Sequence, residues 1–334
     1  MAYHLYPLTA SQRMLQNACE EFGTTQVLTI GVCVSIRMPV DFSLLKACLT
    51  EETERLDCLR VQLTSPDREG GIRQYIVPEH TPDITYRNLK DKAKAEIKDL
   101  MTSWSTIGFE KADAPLHRYV MVSLPGGFNG VYLCIDHRIM DSAGLISMMN
   151  DTFRLYCHYL YGAPVPAMPA RYEEVLQSDL KREQDSLRQE KDLAFWKQLL
   201  TAGEPVYTDF GGSRTLEQSR LRHGMPGLRA ADRVIQPMEG DMARFTLSKK
   251  ETARLQSFCR EHSVSMTNLF LMSMRTALSF TNGEERDVTI RNYISRPTSR
   301  QSRTCGGCRM HCYPCRPVIS HDTPFLSGTR QTTS

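Results

Sequence analysis

No apolar run in the 334-residue sequence approaches the length of a membrane span, which excludes a chain threaded through a bilayer as helices. The first fifteen residues lack a basic start followed by an apolar core, so no secretory signal is read there. Neither sign of charge dominates. Lys and Arg total 41 against 38 for Asp and Glu, a formal charge of +3, which argues against a dedicated nucleic-acid binder. There is no internal repeat and no low-complexity tract, so solenoids and disordered arrays are excluded. No G-x-S-x-G elbow, P-loop or dinucleotide fingerprint occurs. His4, His80, His117 and His158 have no metal-ligand neighbours at helical or strand spacing, and Asp83, Asp91 and Asp113 do not pair into an acid/base set. The 11 cysteines are an odd number scattered through apolar segments, which reads as reduced thiols in a cytoplasmic chain rather than a disulfide framework.

What is present is a globular composition, 41% hydrophobic and 24% charged, in a pattern that alternates helix and strand. Gln12 to Phe22 reads as a helix and Val27 to Met38 as a strand rich in Val and Ile. Asp41 to Leu56 places Leu44, Leu45, Cys48, Leu49 and Leu56 at helical spacing. Leu59 to Leu63 and Ile72 to Val77 read as a strand pair, and Lys90 to Ser105 as a polar-faced helix. Arg118 to Leu124 and Val131 to Ile135 flank Pro125-Gly126-Gly127, a hairpin signal. Ser142 to Tyr161 is a helix that Gly162 can end. Residues 162–170, with several prolines, read as a linker. Beyond it come a charged helix from Glu173 to Leu200, an irregular stretch to Glu239, and a short strand at Arg244 to Leu247. A helix opened by the Ser248/Glu251 capping box follows, then an apolar helix from Met266 to Phe280 and a strand from Val288 to Ile294. The fold class is α/β.

The segment with most chemistry is Asp136-His137-Arg138-Ile139-Met140-Asp141-Ser142. The run before it, Val131-Tyr132-Leu133-Cys134-Ile135, is apolar throughout, as in a strand buried on both faces. His137 then emerges just past a rigid strand, where its geometry is fixed and its ordinary pKa suits proton transfer. Asp141 or Ser142 caps the next helix. The simpler reading is a histidine in a turn beside an N-cap.

His137-x-x-x-Asp141 after an apolar strand resembles the H-x-x-x-D core of chloramphenicol-acetyltransferase-like acyltransferases. The wider context resembles the condensation domains of nonribosomal peptide synthetases, whose motif is H-H-x-x-x-D-G. Other segments match in order. Tyr6 to Leu15 resembles the opening P-L-S-x-x-Q-x-x-L, and Glu54 to Leu63, with Leu59-Arg60, resembles R-H-E-x-L-R-T-x-F. Phe109 with Pro115-Leu116-His117-Arg118 resembles the approach to the central hairpin. Phe195-Trp196-Lys197-Gln198-Leu199-Leu200 resembles Y-W-x-x-x-L, and Asp287-Val288 to Ser295-Arg296 a strand ending in an arginine. Gly307 to Arg316 keeps the outline of G-x-x-x-N-x-x-P-x-R, with His311, Pro314 and Arg316 in place.

The resemblance implies two chloramphenicol-acetyltransferase-like lobes in a V around a central tunnel. Residues 1–170 would form the lobe carrying the motif, 171–316 an incomplete second lobe, and 317–334 an unstructured tail. No cofactor would be bound. A donor acyl group would arrive as a phosphopantetheine thioester on a carrier protein supplied in trans, because no adenylation segment or carrier serine motif is present. An amine or alcohol acceptor would enter opposite it. His137 would either deprotonate the acceptor or orient it and stabilise the tetrahedral intermediate, and proximity would supply much of the acceleration. Asp141 would be structural, paired with Arg296. Asp136, Ser142, Arg60 and His311 are candidates to line the tunnel. No nucleic acid, membrane or metal is implied.

The departures define an alternative. Asp136 replaces the first histidine, where a carboxylate could raise the pKa of its neighbour. Ser142 replaces the motif glycine and His311 the asparagine. These leave open a catalytically inactive docking module or a decayed fragment. A separate signal overlaps the end of the chain: Cys305-x-x-Cys308-x-x-x-Cys312-x-x-Cys315 has knuckle-like spacing for zinc. Its middle spacer is too short for two ordinary knuckles, and the stretch already fits the family's strand. Val288 to His321 also holds six arginines and no acidic residue, read as a solvated face rather than a phosphate patch.

Overall fold

The buried hairpin expected around Pro125 sits at the middle of a four-stranded sheet in a computed structural model that describes residues 3–201, 203–232, 243–295, 299, 301–320 and 322–331. In chain order the elements are β1 (Tyr6–Pro7), α1 (Ala10–Phe22), β2 (Thr29–Ile36), α2 (Phe42–Arg55), β3 (Val61–Leu63), β4 (Arg73–Ile76), β5 (Ile84–Asn88) and α3 (Lys94–Ser105). There follow β6 (His117–Leu124), β7 (Phe128–Asp136), α4 (Ser142–Tyr161), α5 (Tyr172–Glu183), α6 (Ser186–Leu200) and α7 (Arg214–His223). The last are α8 (Lys249–His262), α9 (Met266–Thr281), β8 (Ile290–Ser295), β9 (Met310–Cys315) and α10 (Phe325–Gln331). The chain divides into two units: Met1–Ser186 with Ile294–His311, and Leu187–Tyr293 with Cys312–Ser334.

In the first unit the sheet order is β2-β7-β6-β5, antiparallel except for the parallel β5–β6 pair. Side chains alternate across a strand, and β7 buries both sets. Val131, Leu133 and Ile135 join the core that α2 and α4 cover, with Leu45, Leu49, Met148 and Leu155. Tyr132 and Cys134 face the opposite core, against Ile97, Leu100 and Trp104 of α3. The two-sided burial read from the apolar run is therefore present. A second sheet, β1-β4-β3, packs into the first of these cores through Tyr6, Val61 and Leu63. Helix ends follow local chemistry. Thr9 and Gln12 form a capping box on α1, Asp41 and Asp141 cap α2 and α4, and Gly162 ends α4 with a left-handed φ of 69°.

The second unit, taken by itself, carries α7, α8, α9 and α10, most of α6, and a small core of Leu271, Leu278, Val288 and Ile290. Four sequence expectations change. The helix read from Glu173 to Leu200 is two helices, broken after Glu183. The irregular stretch contains α7, closed by Gly224 at φ 62°. Arg244 to Leu247 is not a strand: residues 243–248 carry no regular element, and Phe245 is 92% exposed. The described part of the expected tail, residues 317–320 and 322–331, is not featureless. Val318 bridges Asp287, Ile319 is buried, and α10 packs on α9. The physical reason is Arg275, a buried arginine of α9 whose Nη2 donates to Ile319 O at 3.0 Å and Arg286 O at 2.7 Å. That anchor is polar, so apolar patterning does not reveal it. Among the described residues no helix is long and apolar enough to cross a membrane.

Candidate functional site

His137 stands one residue beyond β7, and its backbone N–H donates to Leu28 O at 2.9 Å, which ties the turn to the segment entering β2. The ring is half-buried, and Nδ1 lies 3.8 Å from the sulfur of Cys308. Both residues belong to the first unit.

Asp136 is not a lining residue. Its alternation partner Ile135 points to one core, so its own side chain turns to the other side of the strand and is fully buried. There it accepts from the backbone N–H of Arg138 at 2.8 Å, from Arg138 Nε at 3.0 Å and from Nη2 at 2.6 Å. Arg138 Nη1 continues to Gln16 Oε1 of α1 at 2.7 Å. The carboxylate at the position of the family's first histidine is thus committed to an ion pair that braces the turn. A cavity of about 260 Å³ borders Arg138 on this side, lined also by Gln16, Cys19, Thr25, Phe109 and Glu110.

Asp141 closes the other end of the turn. One oxygen accepts from the backbone N–H groups of Ala143 and Gly144, both at 3.1 Å, and caps α4. The other accepts from Ser295 Oγ at 2.9 Å and Arg309 N at 3.2 Å. The expected partner Arg296 lies outside the described residues. Ser142, first residue of α4, is exposed.

The segment 305–309 packs directly on this turn. Gly307 forms a parallel bridge with Met140, and its carbonyl accepts from Asp141 N at 3.3 Å. Gly306 and Gly307 have φ of 66° and 90°, and a Cβ there would fall 2.4 Å from Cys58 Sγ and 2.5 Å from Tyr172 respectively. Only glycine meets both the left-handed backbone and the close approach. Arg309 is buried, ion-paired with Asp179 at 3.4 Å, and donates to Cys305 Sγ at 3.2 Å.

Two other expected lining residues are held by local contacts. Arg60 donates to the carbonyls of Val77, at 3.0 Å, and of Glu54, at the C-terminal end of α2, so its guanidinium serves the helix end rather than a tunnel. His311 Nε2 lies 3.2 Å from Ser11 Oγ of α1. The four-cysteine pattern does not converge. Cys305 and Cys308 are buried in the first unit, Cys312 and Cys315 belong to the second, and among the described residues no three metal-ligating side chains gather. The basic stretch is not simply a solvated face either. Arg309 is buried as above, and Arg316 in the second unit holds Asp287 through bonds of 2.7 and 2.6 Å, which keeps that carboxyl below its usual range. Sequence reasoning misses Ser295, Gly306 and the Cys308 contact. The adjacent glycines before Cys308 are the available signal for a close backbone approach.

The family model for the condensation domain matches residues 2–333. A plipastatin synthase of Bacillus subtilis is 22% identical over 333 residues, which covers 99% of this chain and 12% of that protein. A nonribosomal peptide synthetase of Cordyceps militaris is 22% identical over 282 residues, covering 82% of this chain and 6% of that protein. The chain therefore spans a small fraction of the curated relatives it matches. Among solved structures, the first condensation domain of the calcium-dependent antibiotic synthetase, in complex with a substrate analogue, superposes with a TM-score of 0.80 at 18% identity, covering 99% of this chain and 73% of that chain. The starter condensation domain of rhizomide synthetase, in complex with C8-CoA, gives 0.79 at 18% identity, covering 98% and 70%. With a mixed α/β fold, an ordered His-x-x-x-Asp turn and a family match over nearly its whole length, the chain belongs to the condensation domains of nonribosomal peptide synthetases.

Proposed function

We propose that the chain forms an amide, or an ester, from a carrier-bound acyl thioester and an amine or alcohol acceptor, with His137 as the reactive group. One observation supports this most: both carboxylates of the turn are fully engaged in structure, so the turn holds His137 without competing for its ring. In the reaction the acceptor nitrogen or oxygen bonds to the thioester carbon, the C–S bond breaks, and the acceptor's proton ends on the departing pantetheine sulfur. His137 would either take that proton in passing or donate to the tetrahedral oxygen. A thioester is already reactive, so alignment supplies much of the rate. The donor would be presented on the phosphopantetheine of a carrier protein, an inference supported by the multidomain synthetases among its relatives. The two-lobed V with its tunnel, and the Asp141–Arg296 pair, belong to the same proposal.

The test uses a loaded carrier protein and an amine acceptor, with product read by mass spectrometry. His137→Ala should lower turnover about a hundredfold or more, the scale for loss of a proton-transfer group. Equal product from parent and variant would remove His137 from the reaction. No product from either would favour the inactive docking module instead.

A further inference from the structure

We propose that Cys308 is a positioning residue that sets the tautomer of His137, its thiol donating to Nδ1 so that the ring presents an Nε2–H to the reaction. The inference rests on the reading of His137 as the reactive group, and it chooses between the two roles left open above. The sulfur lies 3.8 Å from Nδ1, within reach of a sulfur hydrogen bond. Cys308 is buried among Leu15, Cys19 and Leu28, with Met14, Val27 and Met310 around them. Its place is fixed by the Gly306-Gly307 approach and by Asp141, which accepts from the N–H of the next residue, Arg309.

The direction of the bond follows from the neighbours. The described hydrogen-bond partner of the Cys308 sulfur is His137 Nδ1. The thiol proton needs an acceptor, and the apolar side chains around it offer none, whereas Nδ1 is in reach to take it. Burial pushes the thiol up to about 12, so the sulfur keeps its proton to donate. The same burial argues against a second reading, in which Cys308 would carry the acyl group as a nucleophile, since a reactive cysteine needs an electropositive and accessible setting. A ring with its proton on Nε2 acts as a donor: it orients the acceptor or stabilises the tetrahedral oxygen rather than removing a proton.

The experiment compares nitrogen NMR spectra of histidine-labelled parent, Cys308→Ala and Cys308→Ser, with His137→Ala used to assign the signal. The parent should show a single Nε2–H tautomer with a hydrogen-bonded Nδ1. Cys308→Ala should shift the Nδ1 signal and mix the tautomers, and Cys308→Ser, which keeps a donor, should return it toward the parent. A parent ring protonated at Nδ1, or a Cys308→Ala spectrum identical to the parent's, would overturn the proposal. These spectra need no substrate, so they decide the tautomer even if the chain makes no product, which would count against the proposed function alone. In the condensation assay, Cys308→Ala should lower kcat by up to about tenfold with KM unchanged, the scale of one neutral hydrogen bond, and Cys308→Ser should recover most of it. An unchanged kcat in Cys308→Ala would also overturn it.

Discussion

The end of β7 and the last turn of α2 each bury a carboxylate completely beside an arginine, and they treat it differently. Asp136 receives three hydrogen bonds from Arg138, one from its backbone and two from its guanidinium. Glu52 receives one, from Arg55 Nε at 3.0 Å, and its other oxygen has no hydrogen-bond partner among the described residues. Arg55 divides its donors, giving Nη2 to Pro166 O at 3.0 Å and Ala167 O at 2.9 Å. The consequence shows in protonation: burial pushes the Glu52 carboxyl up to about 8, with Arg55 opposing it. A buried charge is tolerable only when its lone pairs are filled, and the strand end beside His137 meets that condition where the helix does not. The turn is therefore built to keep a charge fixed next to the candidate reactive group.

Breaking the better-satisfied pair should cost most. Asp136→Ala leaves Arg138 buried and charged without its partner, and should destabilise the chain by about 3–5 kcal/mol. Asp136→His, which restores the family's residue, should not rescue stability, because it supplies no negative charge to Arg138. Denaturant unfolding midpoints read both effects. A loss under about 1 kcal/mol for Asp136→Ala would erase the contrast, since exposed pairs cost that little.

The role of Asp136 also shows how far the sequence carries the site. The apolar run, the hairpin at Pro125, the end of α4 at Gly162 and the position of His137 are legible, because period-two burial and glycine caps are local signals. The direction of Asp136 follows from the same alternation, with Tyr132 and Cys134 on its face. The resemblance to the double-histidine pattern suggests a lining position instead. Cys308 is the converse. Its spacing to Cys305 suggests a metal, yet spacing along a segment does not say which neighbour from 171 positions away its thiol meets. Residues 317–320 and 322–331 escape a sequence reading because the polar anchor on Ile319, Arg275, comes from a helix distant in sequence.

Glu52 sharpens the comparison from the other side. Its folded pKa is raised above the unfolded value, so the folded chain holds the proton more tightly. That contribution is fully present below the ordinary glutamate range and is lost as pH rises toward about 8. Glu52→Gln, which cannot ionise, should therefore gain stability relative to the parent between about pH 5 and 8, by about 1–3 kcal/mol, the cost of an imperfectly satisfied buried polar group. Parallel unfolding curves for the two proteins across that range would show that Glu52 stays ionised in the fold, and that Arg55 satisfies it as well as Arg138 satisfies Asp136.

The smallest effect is expected at Asp141, which uses a third arrangement. Its described partners are backbone N–H groups and one hydroxyl: Ala143, Gly144 and Arg309 through their amides, and Ser295 through Oγ. Such a carboxylate is held by several weak donors, so removing one leaves the rest in place. Ser295→Ala should cost about 1 kcal/mol, the net value of a single hydrogen bond, and should leave the tautomer of His137 as in the parent. A loss of about 3 kcal/mol or more would place Ser295 among the groups whose removal strands a buried charge. It would also mean that the amides alone cannot hold Asp141. A silent Ser295→Ala together with a loss of about 3–5 kcal/mol in Arg296→Ala would instead assign the carboxylate chiefly to the proposed arginine. The helix start would then resemble the strand end, and the turn around His137 would be braced by charge at both sides rather than by charge at one and backbone amides at the other.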